Sequence, residues 1–414
     1  METIAPADAE PLGRAAARSD PAARPGMDPW RAMWILALAI GAMLLFRDLY
    51  HIRFDGDLSI GGLALWGRDF VNVYTSGALT LEGRLGILYD VEAYRAYQQQ
   101  LFDSALEYHN YSYPPVTLLY TWLFALLPYP AALILWLGGT GTAFALAARP
   151  YMRGAGLPLW MALAAPACLI NLWAGHYGFL LGALWLSAWH VIPRRPLLAG
   201  ILIGLMIVKP HLALLAPLVL ARRGAWPTIA TAALTAIGLV ALSVAVFGVE
   251  PWRVYLTQTA MLQAAMVDDV DSFFISLMPT VTPSIAIVGG STMFALLAQA
   301  AAGIAATVLL LWRLPADSKQ AGLATATATF LVLPYAFAYD MTVVGLAGLL
   351  LFRRAVTDRS VPVLFGAMAF AIPVTILYFN QLLLPVAPII LSLQLLVLLE
   401  IRLPGLRRAW LRCD

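Results

Sequence analysis

Residues 226–247 read WPTIATAALTAIGLVALSVAVF, without a single charged side chain. A helix needs about 20 such residues to cross the hydrocarbon core of a bilayer. Outward from this run, others fall near 31–47, 115–128, 130–148, 156–173, 177–192, 196–221, 284–312, 321–338, 340–352, 361–378 and 383–401. Of the 414 residues, 61% are hydrophobic and only 12% charged, and the mean hydropathy is +0.78. Soluble domains carry about 25% charged residues, so the natural solvent of this chain is lipid. The pattern predicts an all-α polytopic membrane protein with about twelve transmembrane helices. A net charge of +3 is too small to suggest nucleic acid as a partner. The 13 Trp and 16 Tyr suit belts at the lipid headgroups, with membrane lipids as the surrounding partner.

Residues 1–29 are rich in Ala, Pro and Arg and read as a disordered cytoplasmic tail. The run from Trp34 to Phe46 lacks a clear cleavage site and reads as an uncleaved first span. Residues 30–414 then form one transmembrane domain. Runs 115–128 and 340–352 are short for a span, and Pro210 should kink 196–221 or split it into two half-helices. Positive charge orients the chain. Arg14, Arg18, Arg24 and Arg31, then Arg222/Arg223, Arg313 with Lys319, Arg353/Arg354/Arg359 and Arg402/Arg407/Arg408/Arg412 fit a cytoplasmic side that holds both termini. Arg149/Arg153 and Arg194/Arg195 resist if 196–221 is one span; two half-helices bring Arg194/Arg195 inside only if another short segment fails to cross. By the same orientation, residues 47–113 and 248–283 form two external loops. Within the first, 70–82 and 91–107 read as short surface helices.

Cys168 and Cys413 offer no disulfide framework, and the five histidines never adopt a metal-ligand spacing, so neither metal nor cofactor is expected. The densest polar cluster is Gly67-Arg68-Asp69-Phe70-Val71-Asn72-Val73-Tyr74, followed by Gly83, Leu88-Tyr89-Asp90 and Tyr111-Ser112-Tyr113-Pro114-Pro115. A carboxylate just outside the membrane, framed by Arg and aromatics, can act as general base on a sugar hydroxyl. Equally, Asp69 can cap a surface helix. Arg68 can hold a phosphate or pair with Asp69. Lys209, one of two lysines, lies in an apolar run, where a charge is costly unless it serves a site or snorkels to an interface. Asp340 beside Tyr339 can orient substrate hydroxyls or cap the helix that follows. His176 follows a glycine at a span end, Asp268/Asp269/Asp271 read as a solvated face, and Tyr378 with Asn380-Gln381 marks another span end.

In order and spacing, these motifs resemble glycosyltransferase family 87, the polyprenol-phosphate-mannose-type mannosyltransferases of bacterial membranes. The resemblance rests on Asp69-Phe70, Tyr74, Gly83, Tyr89-Asp90 and Tyr113-Pro114-Pro115. It continues through Gly175-His176-Tyr177, Lys209-Pro210, Arg222-Arg223 with Trp226, and Pro334-Tyr335 with Tyr339-Asp340, covering roughly 34–352. His176 stands where the family usually has an amide, and Tyr339-Asp340 lacks the histidine many members show nearby. The resemblance implies a GT-C-like bundle with surface helices in a large first external loop, in a bacterial inner membrane. It implies an inverting hexosyltransferase that moves mannose from a polyprenyl-phosphate donor to a lipid or glycan acceptor at the outer face. Asp69 would be the catalytic base, with Arg68, Tyr74, Tyr113, His176, Lys209, Tyr339 and Asp340 binding substrate. The alternatives are a lipid-linked sugar flippase or transporter, for which no internal repeat is visible, and a polysaccharide polymerase or ligase, which would take a diphosphate donor.

Overall fold

The computed structural model describes residues 28–53, 59–60, 64–102, 106, 109–268, 273–358 and 360–401. Most of the expected tail lies outside them, as do Arg359, Asp269, Asp271 and the arginines after 401. The described chain is helical apart from three two-residue strands.

α1 (Pro29–His51) leads into the antiparallel strands β1 (Ile52–Arg53), β2 (Ser59–Ile60) and β3 (Ala64–Leu65), paired in that order with Ile52 opposite Ile60 and Ser59 opposite Leu65. The two expected surface helices follow as α2 (Phe70–Leu81) and α3 (Val91–Phe102). Asp90 caps α3, its Oδ1 accepting from the Ala93 amide at 3.0 Å. Next come α4 (Leu118–Ala125), which lies against α2, and α5 (Tyr129–Gly154). α6 (Trp160–Ala164) and α7 (Pro166–Ala174) are one leg broken at Ala165, extended at ψ 146° because a residue before proline is excluded from the helical region. α8 (Gly178–Val191) returns.

α9 (Pro196–Gly204) then runs through a 3₁₀ turn to Val208, and the chain reverses at Lys209-Pro210 toward α10 (Ala216–Arg222). Lys209 sits at φ −140°, ψ 74°, outside the helical region for the same pre-proline reason. α11 (Trp226–Phe247) runs beside α9, and α12 (Glu250–Asp268), α13 (Phe273–Ser276) and α14 (Val281–Ala286) follow it. α15 (Thr292–Trp312), α16 (Ser318–Val332), α17 (Thr342–Thr357), α18 (Val363–Gln381) and α19 (Ala387–Leu398) complete the bundle.

Contacts sort the helix termini into two ends. At one end Trp30 stacks on Phe352 with ring centroids 5.3 Å apart, and the Arg353 guanidinium lies 5.9 Å from the Trp30 ring. Arg223 donates to Ser318 Oγ at 3.1 Å and to the Ala316 carbonyl at 3.2 Å, and lies over Trp189 at the close of α8. Gln320 donates to the Leu398 carbonyl at 2.7 Å. α5 and α8 run parallel, with Phe144 on Phe179 at 5.7 Å and the Tyr151 hydroxyl on the Leu186 carbonyl at 3.0 Å. Arg149 and Arg153 therefore share this end with Arg194, Arg195, Arg222, Arg223 and Arg313.

Two of the twelve apolar runs do not reach from one end of the bundle to the other. α4 has 8 residues, about 12 Å of helix at 1.5 Å per residue, and α9–α10 is a hairpin that starts and finishes at the arginine-bearing end. Ten legs between the ends remain among the described residues. Among the described residues, four helices are long and apolar enough to cross a membrane by themselves: Tyr129–Gly154, Trp226–Phe247, Thr292–Trp312 and Val363–Gln381. α11 exposes Leu234, Ile237, Leu242 and Val246, an outer face suited to hydrocarbon. Between legs, two buried amides are spent on neighbours. Gln394 Nε2 donates to Thr327 Oγ1 at 3.2 Å and to the Val344 carbonyl at 3.1 Å. Asn380 closes α18 by donating to the Ser276 and Met278 carbonyls at 3.2 and 3.1 Å.

Candidate active site

The site lies at the end opposite Arg149, Arg194 and Arg222, where four chain reversals meet. The first is the entry to α2, where Gly67 takes φ +79° and Asp69 stands at the N-cap. The second is the break between α7 and α8, where Gly175 ends α7 at φ +68°. The third is the hairpin tip at Lys209. The fourth is the 3₁₀ turn Ala338–Asp340.

The first two reversals are locked together. The Asp69 amide donates to the Ala174 carbonyl at 2.9 Å, Tyr129 donates to the Trp66 carbonyl at 2.7 Å, and Trp136 Nε1 to the Gly175 carbonyl at 3.0 Å. Gly175 lies directly on the Gly67 backbone, leaving no room for a Cβ. Its left-handed φ also strains any other residue. Gly175→Ala is expected to displace Asp69 and lower activity more than tenfold while the bundle still assembles. Turnover of a variant shown to be folded by size-exclusion chromatography checks this.

The cluster itself is tight and buried. Lys209 Nζ donates to Asp340 Oδ1 at 3.0 Å and Oδ2 at 2.9 Å, with the Asp340 side chain only 1% exposed. The third contact of Nζ is His176 Nε2 at 3.3 Å, and the Tyr113 hydroxyl reaches the same nitrogen at 2.7 Å. An ammonium only donates, so Nε2 accepts and the imidazole proton sits on Nδ1, which faces Asp340 Oδ1 at 3.6 Å. Burial and the Lys209 charge hold His176 well below the ordinary imidazole value, in agreement with a neutral ring. Tyr339 stacks on that ring at 4.0 Å, and its own ring centre lies 5.2 Å from Lys209 Nζ.

Asp69 borders this cluster. Although it stands at the N-cap of α2, its carboxylate makes no capping bond, so the capping alternative is excluded. It is only half-buried at the surface, yet protein surrounds the carboxyl deeply enough that burial raises it above the ordinary carboxylate value, with His109, Lys209 and Arg68 opposing the rise. Burial likewise raises Asp340, opposed by Lys209.

Of the expected residues, Tyr113, His176, Lys209, Tyr339 and Asp340 are in mutual contact, with Asp69 electrostatically beside them. Arg68 lies flat over Trp173, its Cζ 4.8 Å from the ring centre. Tyr74 is turned elsewhere: its hydroxyl donates to the Leu127 carbonyl at 2.9 Å and its ring packs on Tyr129 at 5.3 Å. Two histidines escaped the sequence reading. His109, buried, is the nearest in effect of the groups that counter the rise of Asp69. His211 adjoins Lys209 across Pro210 and faces Tyr335 at 6.3 Å. His109 lies two residues before the Tyr111–Pro115 motif and His211 directly after Lys209-Pro210, which is the only signal either gives.

No curated protein and no solved structure matches the chain. The model of glycosyltransferase family 87 matches residues 111–337, more than half of its length, spanning Tyr113, His176 and Lys209 and stopping just short of Asp340. With that match over the segment that builds the buried cluster, the chain belongs to glycosyltransferase family 87.

Proposed function

We propose that this glycosyltransferase is inverting and moves a hexose, mannose by resemblance, from a polyprenyl-phosphate donor to a lipid or glycan acceptor. The observation that carries the reading is the Asp69 carboxylate: uncapped, half-covered and beside a buried polar cluster. In the reaction an acceptor oxygen attacks the anomeric carbon while Asp69 takes its proton. The bond to the lipid phosphate breaks on the opposite face, and its electron pair stays on the phosphate oxygen. Phosphate is already a good leaving group, so no carboxylic acid is needed opposite Asp69. Arg68, held flat by Trp173, supplies positive charge near the donor. Lys209 and Asp340 hold the hairpin tip and the 338–340 turn in register, and Tyr113 and Tyr339 pack on His176 beside them. Incubating the purified protein with a polyprenyl-phosphate sugar and following lipid-linked product tests the reading; a flippase would consume no donor.

The ten legs are ten membrane crossings in this reading, in a bacterial inner membrane. The arginine-bearing end with both termini is cytoplasmic, and the site faces outward. Reporters fused after Arg195 and after Gly224 are then expected to report the same compartment, and one fused after Ser59 the opposite one. Opposite signals from the first two would mean that 196–222 crosses.

A further inference from the structure

The donor-phosphate contact is the part of the reading that Lys209 cannot provide. An ammonium has three N–H bonds. Here two are directed at Asp340 and the third at His176 Nε2. To reach a phosphate, Lys209 would have to abandon a buried carboxylate. The next polar group on the same turn is His211. Its ring makes no hydrogen bond among the described residues and is half-buried. It stands close enough to Lys209 to feel the ammonium charge and close enough to His176 to act on that ring, and Tyr335 flanks it at 6.3 Å.

Pro210, between the two, belongs to a different surface. It lines an apolar groove of about 340 Å³ between the α9–α10 hairpin and α11, with Met206, Ile207, Leu214, Ile229 and Ala232 among the walls. The tip Lys209-Pro210-His211 is thus the junction between an apolar groove and the buried polar cluster. A molecule with an apolar chain joined to a phosphate fits such a junction, with its phosphate at the tip.

We propose that His211 binds the phosphate of the lipid donor, its imidazole N–H hydrogen-bonding a non-bridging phosphate oxygen while the chain lies in the groove beside Pro210. The inference rests on the lipid-phosphate reading and adds a residue to it. During transfer the acceptor proton goes to Asp69 and the electron pair of the broken bond to the phosphate oxygen. His211 shares its N–H throughout, and no proton moves to or from it.

The test measures binding by the full chain in detergent and needs no turnover. Farnesyl phosphate and farnesol share one apolar chain and differ in the phosphate. The parent protein is expected to bind farnesyl phosphate more tightly. His211→Phe, which keeps an aromatic ring against Tyr335 but removes both ring nitrogens, is expected to weaken farnesyl phosphate about tenfold and leave farnesol unchanged. His211→Gln, which keeps an N–H donor, is expected to retain most of the preference. His211→Ala gives the same reading as His211→Phe if the larger ring is not accommodated. The proposal is overturned if either donor-less variant binds farnesyl phosphate within twofold of the parent, or if both ligands weaken together. A parent that binds the two ligands equally would remove the lipid-phosphate reading itself, and the proposal with it.

Discussion

Asp69→Asn is expected to reduce turnover by about 10²–10⁴-fold, the usual worth of a general base, while expression and donor binding stay near those of the parent. The amide keeps the size of the carboxylate and cannot accept the acceptor proton. Because the carboxylate makes no capping bond, its loss leaves α2 intact, so the effect falls on chemistry rather than folding. Burial raises Asp69 above the ordinary carboxylate value, and only the ionised form is a base. Activity should therefore fall as pH drops through a midpoint above the ordinary carboxylate value, in a limb that Asp69→Glu retains weakly. Asp90→Ala is the contrast: it removes the oxygen that caps α3, so about 1 kcal/mol of stability is lost before any chemistry. A thermal-unfolding and turnover comparison of the three variants separates the two roles.

Lys209→Met is the second large effect. On the sequence alone, the variant is expected to stay folded and lose activity. The geometry adds a stability cost. Removing the ammonium leaves Asp340 buried without its partner, and breaking such a pair typically costs about 3–5 kcal/mol. The sign with pH follows from burial. Asp340 is raised above its unfolded value, and without Lys209 nothing opposes the rise, so the folded state holds the proton more tightly than the unfolded one. Stability of Lys209→Met should be best at low pH and fall as pH rises through the folded value. Adding Asp340→Leu should recover most of the lost stability at neutral pH without recovering transfer. Full activity of Lys209→Met across donor concentrations would leave the Lys209–Asp340 pair a purely structural one.

Much of the fold was legible in the apolar runs, because a bilayer demands length and hydropathy that composition reveals directly. Hydropathy does not say whether a run emerges on the far side. Residues 115–128 and 196–221 look alike as apolar text, yet one lies beside α2 and the other turns back on itself. Pro210 flagged the turn, and the arginine pairs at 194–195 and 222–223 flagged the shared end. What the text lacked was the packing of α4 on α2, which frees the hairpin to return without upsetting the remaining legs. At the site, Asp69, His176, Lys209 and Asp340 stood out individually as polar groups at apolar borders. Their contacts join positions 33 and 131 residues apart, which no local pattern encodes. Tyr74 went the other way: the resemblance implied substrate binding, but its place on α2 turns it toward Tyr129 and the Leu127 carbonyl. His109 and His211 were passed over because a lone histidine carries no pattern by itself.

The most direct test of the central claim is transfer of a labelled sugar by the purified full chain from a polyprenyl monophosphate donor, run beside the diphosphate-linked donor and beside Asp69→Asn. The expected result is lipid- or glycan-linked product with inverted anomeric configuration from the monophosphate donor alone, abolished in Asp69→Asn. Product with retained configuration, equal use of the diphosphate donor, or transfer by Asp69→Asn within a few-fold of the parent would contradict it.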